Sequence, residues 1–142
     1  MGTNRSKAAW PPALAVLLLA GCPTVDLGDT PSEIGKCNPA GGVDYFTDVI
    51  WPQYVRPDNT TNGCTKTGGC HNEAGGNGLS FQTQGTIDFN FNYRQAQQYL
   101  KCGQPMTSEL LTAPLAGIDA HGGMDIFQPG DPEVQLFLDW FM

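Results

Sequence analysis

Charged residues are scarce in this 142-residue chain: they make up 15% of it, and lysine and arginine total seven against fourteen acids. The formal net charge of −7 argues against nucleic acid and anionic lipid headgroups as ligands and favours a basic partner. There are only two histidines, His71 and His121, and no G-x-S-x-G sequence, which argues against a hydrolase. No internal repeat is present, and no apolar run reaches the ~20 residues that span a bilayer.

The N-terminal residues carry the pattern of an export signal. Arg5 and Lys7 precede an apolar run, Ala8–Ala20, which is followed by Gly and Cys22. A basic start, a short apolar run and small residues before a cleavage site are typical of secretion signals, so we predict a signal peptide over residues 1–21. The ending Leu-Ala-Gly-Cys resembles the bacterial lipobox, which implies that Cys22 is lipidated and becomes the first mature residue.

The mature chain divides into a tether and a domain. Residues 22–42 are rich in proline, glycine and small polar residues and predict a flexible tether, while residues 43–142 have the length of one small domain. Two or more acyl chains hold a protein stably at a membrane. Pro23 follows Cys22, and the resemblance to sorted lipoproteins of two-membrane bacteria implies the outer membrane, with the domain in the periplasm or at the cell surface.

The cysteine count restricts how the thiols can pair. Besides Cys22 there are four cysteines, Cys37, Cys64, Cys70 and Cys102, and four thiols are not expected in an oxidising compartment. If Cys64 and Cys70 hold a cofactor, Cys37 and Cys102 remain as a disulfide pair, whose long loop contributes on the order of 4 kcal/mol in the chain-entropy model. Without a cofactor, all three pairings stay open.

The most informative stretch runs from Cys64 to Cys70-His71. Two nearby cysteines, the second followed by histidine, are typical of c-type haem attachment: the thiols form thioethers with the haem vinyl groups and the histidine binds the iron. The usual spacing is C-x-x-C-H, whereas five residues separate the cysteines here. Gly68 and Gly69 can adopt positive φ, which lets the extra residues bulge outward while the thiols converge.

The first and last helices have the clearest patterns. Apolar residues at helical spacing predict a first helix over residues 44–55, capped by Asp44 and kinked or broken at Pro52. Asp131 and Pro132 have the residue types of an N-cap and a first helical position, and apolar residues at helical spacing follow them. The high content of glycine (18) and proline (11) predicts long loops between short helices.

The middle of the domain is less regular. Phe89 and Phe91 alternate with polar residues and predict a short extended piece. A second helix is predicted over residues 93–101, and a single helical turn is predicted to begin at Ser108 as its cap.

Taken in order, these segments resemble a small class of cytochrome c-like domains that occur as lipoproteins or fused modules in bacteria such as planctomycetes and myxobacteria. The residues that carry the resemblance are Tyr45–Pro52, Cys70-His71, Gly78–Phe81, Ser108–Gly117, His121–Gly123, Asp131-Pro132 and Leu138–Phe141. The resemblance implies a mostly α, cytochrome c-like small helical domain with haem c as its cofactor. It also implies that the first and last helices cross and that the haem lies between them and the loops.

A haem used for electron transfer usually has a second axial ligand. We expect His121, because it lies among small residues before the last helix, and because Gly122 and Gly123 carry no side chains to collide with the porphyrin. Met124 is the next candidate and Met106 the third. A second histidine gives a lower reduction potential than a methionine, which raises it.

The sequence therefore predicts a membrane-anchored c-type haem protein that carries electrons to or from a redox protein partner and is not an enzyme. Peroxidase-like activity would need an open sixth position on the iron. The first alternative is a haem-free, disulfide-stapled lipoprotein that acts as a binding or structural module. The second is a zinc site made of Cys64, Cys70, His71 and His121, although the spacing matches no common zinc motif.

Overall fold

The computed structural model describes residues 35–59, 61–66, 70–75 and 78–142, which belong to one unit, Glu33–Met142. The predicted signal peptide, the lipidation site Cys22, most of the predicted tether, and Gly68 and Gly69 lie outside the described residues. Within the described part of the chain, no helix is long and apolar enough to cross a membrane.

Helices are the main regular structure of the described residues, as the sequence predicted. Helix α1 (Gly42–Tyr45) leads directly into a π-helix (Phe46–Val55). The later elements are α2 (Phe89–Gln97), a 3₁₀ turn (Pro105–Thr107), α3 (Glu109–Thr112) and α4 (Pro132–Asp139). In place of named strands, the described residues form two isolated parallel bridges, Asn72–Phe81 and Leu115–Phe127.

The first helical segment differs in two details from its prediction. Asp44 does not cap it, because the helix begins at Gly42 and Asp44 lies within its first turn. Pro52 lies inside the segment, which continues to Val55 as a ten-residue π-helix. Proline lacks an N–H in either kind of helix, and in an α-helix its ring would also collide with the carbonyl four residues back; the wider π turn relieves that collision.

Helix α2 begins four residues earlier than predicted, and the prediction of an extended piece at Phe89 and Phe91 is wrong. Asp88 is the reason, because its carboxylate accepts a 2.9 Å hydrogen bond from the Phe91 N–H and caps the helix. A cap of this kind satisfies an N–H that has no partner within the first turn. The two phenylalanines therefore lie in the first turn of a helix.

Two of the predicted caps act in a different way. Ser108 occupies the N-cap position of α3, but its hydroxyl accepts a 2.9 Å hydrogen bond from the Lys101 N–H instead. Helix α4 begins at Pro132 as predicted, with Asp131 before it. The Asp131 carboxylate accepts a hydrogen bond from the Gln128 N–H, outside the helix.

The two ends of the domain pack together through aromatic side chains. Trp140, which is fully buried, contacts Phe46 of the π-helix with ring centroids 5.7 Å apart, and its indole N–H donates to the Gly42 carbonyl at 2.9 Å. Tyr54 packs between Phe127 and Phe137, at centroid distances of 4.7 and 5.4 Å. The first and last helical segments are thus held against each other.

Residues 37–42, which were assigned to the tether, belong to the domain. Cys37 forms a disulfide with Cys102 across 65 residues of chain, with their Cα atoms 5.2 Å apart. The Cys37 carbonyl also accepts a 3.0 Å hydrogen bond from the Gln97 side chain, and the Gly41 N–H donates to the Trp140 carbonyl at 3.0 Å. This bridge and these hydrogen bonds fix residues 37–42 to the rest of the domain.

Candidate cofactor site

A cavity of about 530 Å³ brings the sequence-predicted site residues together. Cys64, Cys70 and His71 line one part of it, and His121 lines another, although 50 residues separate the two histidines in the chain. The other lining residues are Gly78, Leu79, Tyr99, Glu109, Leu110, Ala113, Pro114, Gly122, Gly123 and Ile126. The lining is mainly apolar, and the side chains in it that could bind a metal include those of His71 and His121.

The end of the π-helix positions Cys64. The Cys64 N–H donates to the Val55 carbonyl at 2.9 Å, so the cysteine lies directly beside the last residue of that helix. Gly63 allows the chain before Cys64 to pass close to the end of the π-helix, because a Cβ atom on residue 63 would lie 2.2 Å from the Arg56 carbonyl oxygen. A residue with a side chain cannot occupy that place without moving the backbone.

Backbone hydrogen bonds then connect Cys64 to His71 and hold the histidine on both sides. The His71 N–H donates to the Cys64 carbonyl at 3.1 Å, and the Phe81 N–H donates to the His71 carbonyl at 2.8 Å. Phe81 is fully buried against Trp51, with their rings edge to face at 5.6 Å. His71 is therefore anchored to the core through its own backbone.

The hydrogen bond of the His71 ring determines which nitrogen is left for a ligand. Nδ1 lies 2.9 Å from the Leu79 carbonyl oxygen, and a carbonyl only accepts hydrogen bonds, so Nδ1 carries the proton. Nε2 of the neutral ring then has a lone pair for a metal ion. A backbone carbonyl on the second nitrogen is the usual support of a metal-binding histidine.

The ring of His121 is held in the same way. Its Nδ1 lies 3.1 Å from the Met124 carbonyl oxygen, which again leaves Nε2 with the lone pair. Gly123 makes room for the ring, since a Cβ atom there would lie 2.9 Å from His121 Cε1. A Cβ atom on Gly122 would meet no heavy atom within 4 Å. Of the two glycines, Gly123 gives space to the histidine itself and Gly122 faces open space.

The two imidazole rings lie near each other on the cavity and are nearly parallel. Their centroids are 5.9 Å apart and their planes differ by 7°. Metal–nitrogen bonds of about 2 Å, with each ring centre about 1.1 Å behind its nitrogen, place two ring centres roughly 6 Å apart around one shared ion. The observed distance between the ring centres is similar to this value.

Cys64 and Cys70 lie outside the Cys37–Cys102 disulfide. Cys64 is buried, and this burial raises the pKa of its thiol to about 12, although the Arg56 charge acts in the opposite direction. Cys70 is half-buried. Both residues line the cavity that the histidines line.

The methionines lie elsewhere. Met106, Met124 and Met142 are 55, 73 and 82% exposed, and none of them lines the cavity. Met124 supports His121 through its backbone carbonyl, with its own backbone in the left-handed region at φ 66°. The structure therefore brings His121, and none of the methionines, next to His71.

Three contributors to the site have no counterpart in the sequence analysis. The carbonyls of Leu79 and Met124 orient the two rings, and the Lys66 amine donates to the Gly123 carbonyl at 3.1 Å. The sequence could not predict the two carbonyls, because every residue has one. It did not single out Lys66, because a lone lysine is usually exposed to solvent.

The described residues contain no group of three or more histidine, cysteine and acidic side chains arranged to hold a metal ion by themselves. A zinc site needs three or four such protein ligands, whereas haem iron needs only two because the porphyrin supplies the others. Comparisons with protein-family models, with curated proteins and with solved structures found no match to this chain.

Proposed function

We propose that this protein is a c-type haem protein of cytochrome c-like fold that transfers electrons while anchored to a membrane. His71 and His121 are its axial ligands, and Cys64 and Cys70 form the thioether bonds. One observation carries the proposal: two near-parallel imidazoles 5.9 Å apart, both with Nε2 left for a metal, line the same cavity as Cys64 and Cys70.

When bound, the haem supplies an iron that alternates between two oxidation states. The chain provides two imidazole ligands, and the carbonyls of Leu79 and Met124 orient them by accepting hydrogen bonds from their Nδ1–H groups. The cavity lining includes the apolar side chains of Leu110, Pro114 and Ile126, which limit the access of water to the site. Two histidine ligands favour a lower potential than a histidine and a methionine would.

Electron transfer accounts for this geometry better than peroxidase chemistry. A peroxidase needs a free position on the iron, whereas His121 lies opposite His71 at the distance that a shared ion requires. Among the described residues, the ionisable side chains that line the cavity besides the histidines and cysteines are Glu109 and Tyr99. A site with both axial positions filled exchanges electrons and does not bind substrate at the metal.

The location and partner in this proposal come from the sequence. Cys22 carries the lipid anchor, and the protein lies at the outer membrane on the periplasmic or external side. The mature chain keeps only five lysines and arginines, Lys36, Arg56, Lys66, Arg94 and Lys101, against its fourteen acids. Such a surface attracts a basic redox protein at low ionic strength and repels nucleic acid.

The test is production of the full chain with and without a c-haem maturation system. After denaturation, α and β absorption bands that stay with the polypeptide indicate covalent haem, and His71→Ala is expected to lose the low-spin spectrum. His121→Ala is expected to become high-spin, while Met124→Leu, the control in the same turn, keeps the wild-type spectrum. A colourless protein in which Cys64 and Cys70 prove to be joined would instead support the haem-free lipoprotein.

A further inference from the structure

The two histidines are attached to the domain very unequally. His71 is held through its N–H, its carbonyl and its ring, by Cys64, Phe81 and Leu79. The hydrogen bonds of His121 are confined to its own turn, where its carbonyl accepts from the Met124 N–H at 3.0 Å and its ring bonds the Met124 carbonyl. These bonds lie within the turn and do not fix it to the rest of the domain.

One contact ties this turn to a distant part of the chain. The Lys66 amine donates to the Gly123 carbonyl at 3.1 Å, across 57 residues, and the lysine is half-buried. Among the described residues, no other hydrogen bond links residues 119–125 to a residue outside that turn. Lys66 lies two residues after Cys64, so the contact joins the segment of the first cysteine to the turn of His121.

We propose that Lys66 is a positioning residue that holds the His121 turn at its distance from His71, so that the sixth coordination position stays closed. This inference rests on the proposed function, because a sixth position exists only when haem is bound. The amine does not touch the iron or its ligands. It acts through the Gly123 carbonyl, one residue from the Met124 carbonyl that orients the His121 ring.

A hydrogen bond from a charged donor is stronger than a neutral one, and its loss is expected to weaken attachment of the turn about tenfold. In the haem-loaded protein, Lys66→Met removes the donor but keeps an apolar stem. This variant is expected to show a high-spin fraction and about tenfold tighter binding of carbon monoxide. Added imidazole restores its low-spin spectrum, because it replaces the missing ligand.

Two further variants separate positioning from general structure. Lys66→Arg keeps a cationic donor and is expected to retain the wild-type spectrum and carbon monoxide affinity. Lys36→Met makes the same change of charge at an exposed residue and is expected to behave as wild type. A low-spin Lys66→Met protein with wild-type carbon monoxide affinity would overturn the proposal.

A measurement on the haem-free protein distinguishes failure of this inference from failure of the proposed function. Nuclear Overhauser contacts between the His71 and His121 rings report their approach without a cofactor, as does hydrogen exchange at the Met124 amide. Both are expected to weaken in Lys66→Met, with exchange about tenfold faster, and to be kept in Lys66→Arg. Unchanged contacts and exchange would refute the role of Lys66 even if wild-type protein never acquires haem.

Discussion

Replacement of Gly123 by alanine is the sharpest test of the position of His121. The added Cβ would lie 2.9 Å from Cε1 and 3.3 Å from Nδ1 of the ring, whereas ordinary carbon contacts are about 3.5–4.0 Å. Gly123 has no positive φ, so alanine adds the contact without backbone strain. The ring must therefore move by roughly 0.5–1 Å, while metal–ligand distances tolerate only about 0.2 Å.

The free-energy cost of displacing the ring can be estimated from the methyl group that is added. Inserting a methyl group into a packed place costs about 1–3 kcal/mol, which corresponds to a tenfold to hundredfold weaker bond from His121 to the iron. Haem-loaded Gly123→Ala is thus expected to become partly high-spin and to bind carbon monoxide more tightly by a similar factor. Visible spectra and carbon monoxide titration measure both effects.

Gly103→Ala is the matched control, because a Cβ at that position meets no heavy atom within 4 Å, it too has no positive φ, and Gly103 does not line the cavity. It is expected to keep the wild-type spectrum and affinity. Thermal unfolding of both variants checks that the domain remains folded. If Gly123→Ala and Gly103→Ala gave identical low-spin spectra, the placement of His121 as the sixth ligand would be refuted.

Two predictions concern the rest of the domain. Replacing Cys37 and Cys102 together by serine is expected to lower the free energy of unfolding by about 4 kcal/mol in urea titrations, and an unchanged midpoint would contradict this. Slight burial raises the pKa of Glu73, but hydrogen bonds from Thr83 and Gln84 outweigh it and lower that pKa to about 2. The resulting stabilisation is present above about pH 4.5 and lost toward pH 2, so the protection factor of the Thr83 amide, which compares its exchange rate with that of an unstructured peptide at the same pH, should fall over that range in wild type but not in Glu73→Gln.

The elements that the sequence predicted well are those in which several local signals agree. The last helix has a first-turn proline after Asp131 and apolar residues at helical spacing, and it begins at Pro132. The second helix was predicted too late because alternating Phe89 and Phe91 fit a strand and a helix equally. The Asp88 cap decided between them, and it is a single hydrogen bond.

For the candidate site, too, the sequence predicted some features and not others. Residue types were enough to name Cys64, Cys70, His71 and His121, which share one cavity. The sequence ranked His121 above Met124 because of its glycine neighbours, but both residues lie in one turn, and the backbone decides which side chain faces inward. In the structure Met124 is 73% exposed and only its carbonyl serves the site.

The long spacing between the cysteines is explained by backbone hydrogen bonds that fix Cys64 and His71 from outside the segment between the cysteines. Cys64 is fixed by the Val55 carbonyl, at the end of the π-helix that accommodates Pro52. His71 is fixed by the Cys64 carbonyl on one side and by Phe81 on the other. These hydrogen bonds determine the position of His71 relative to Cys64. The five residues between the two cysteines are therefore not needed to determine it. The longer spacing is therefore compatible with a histidine placed for iron.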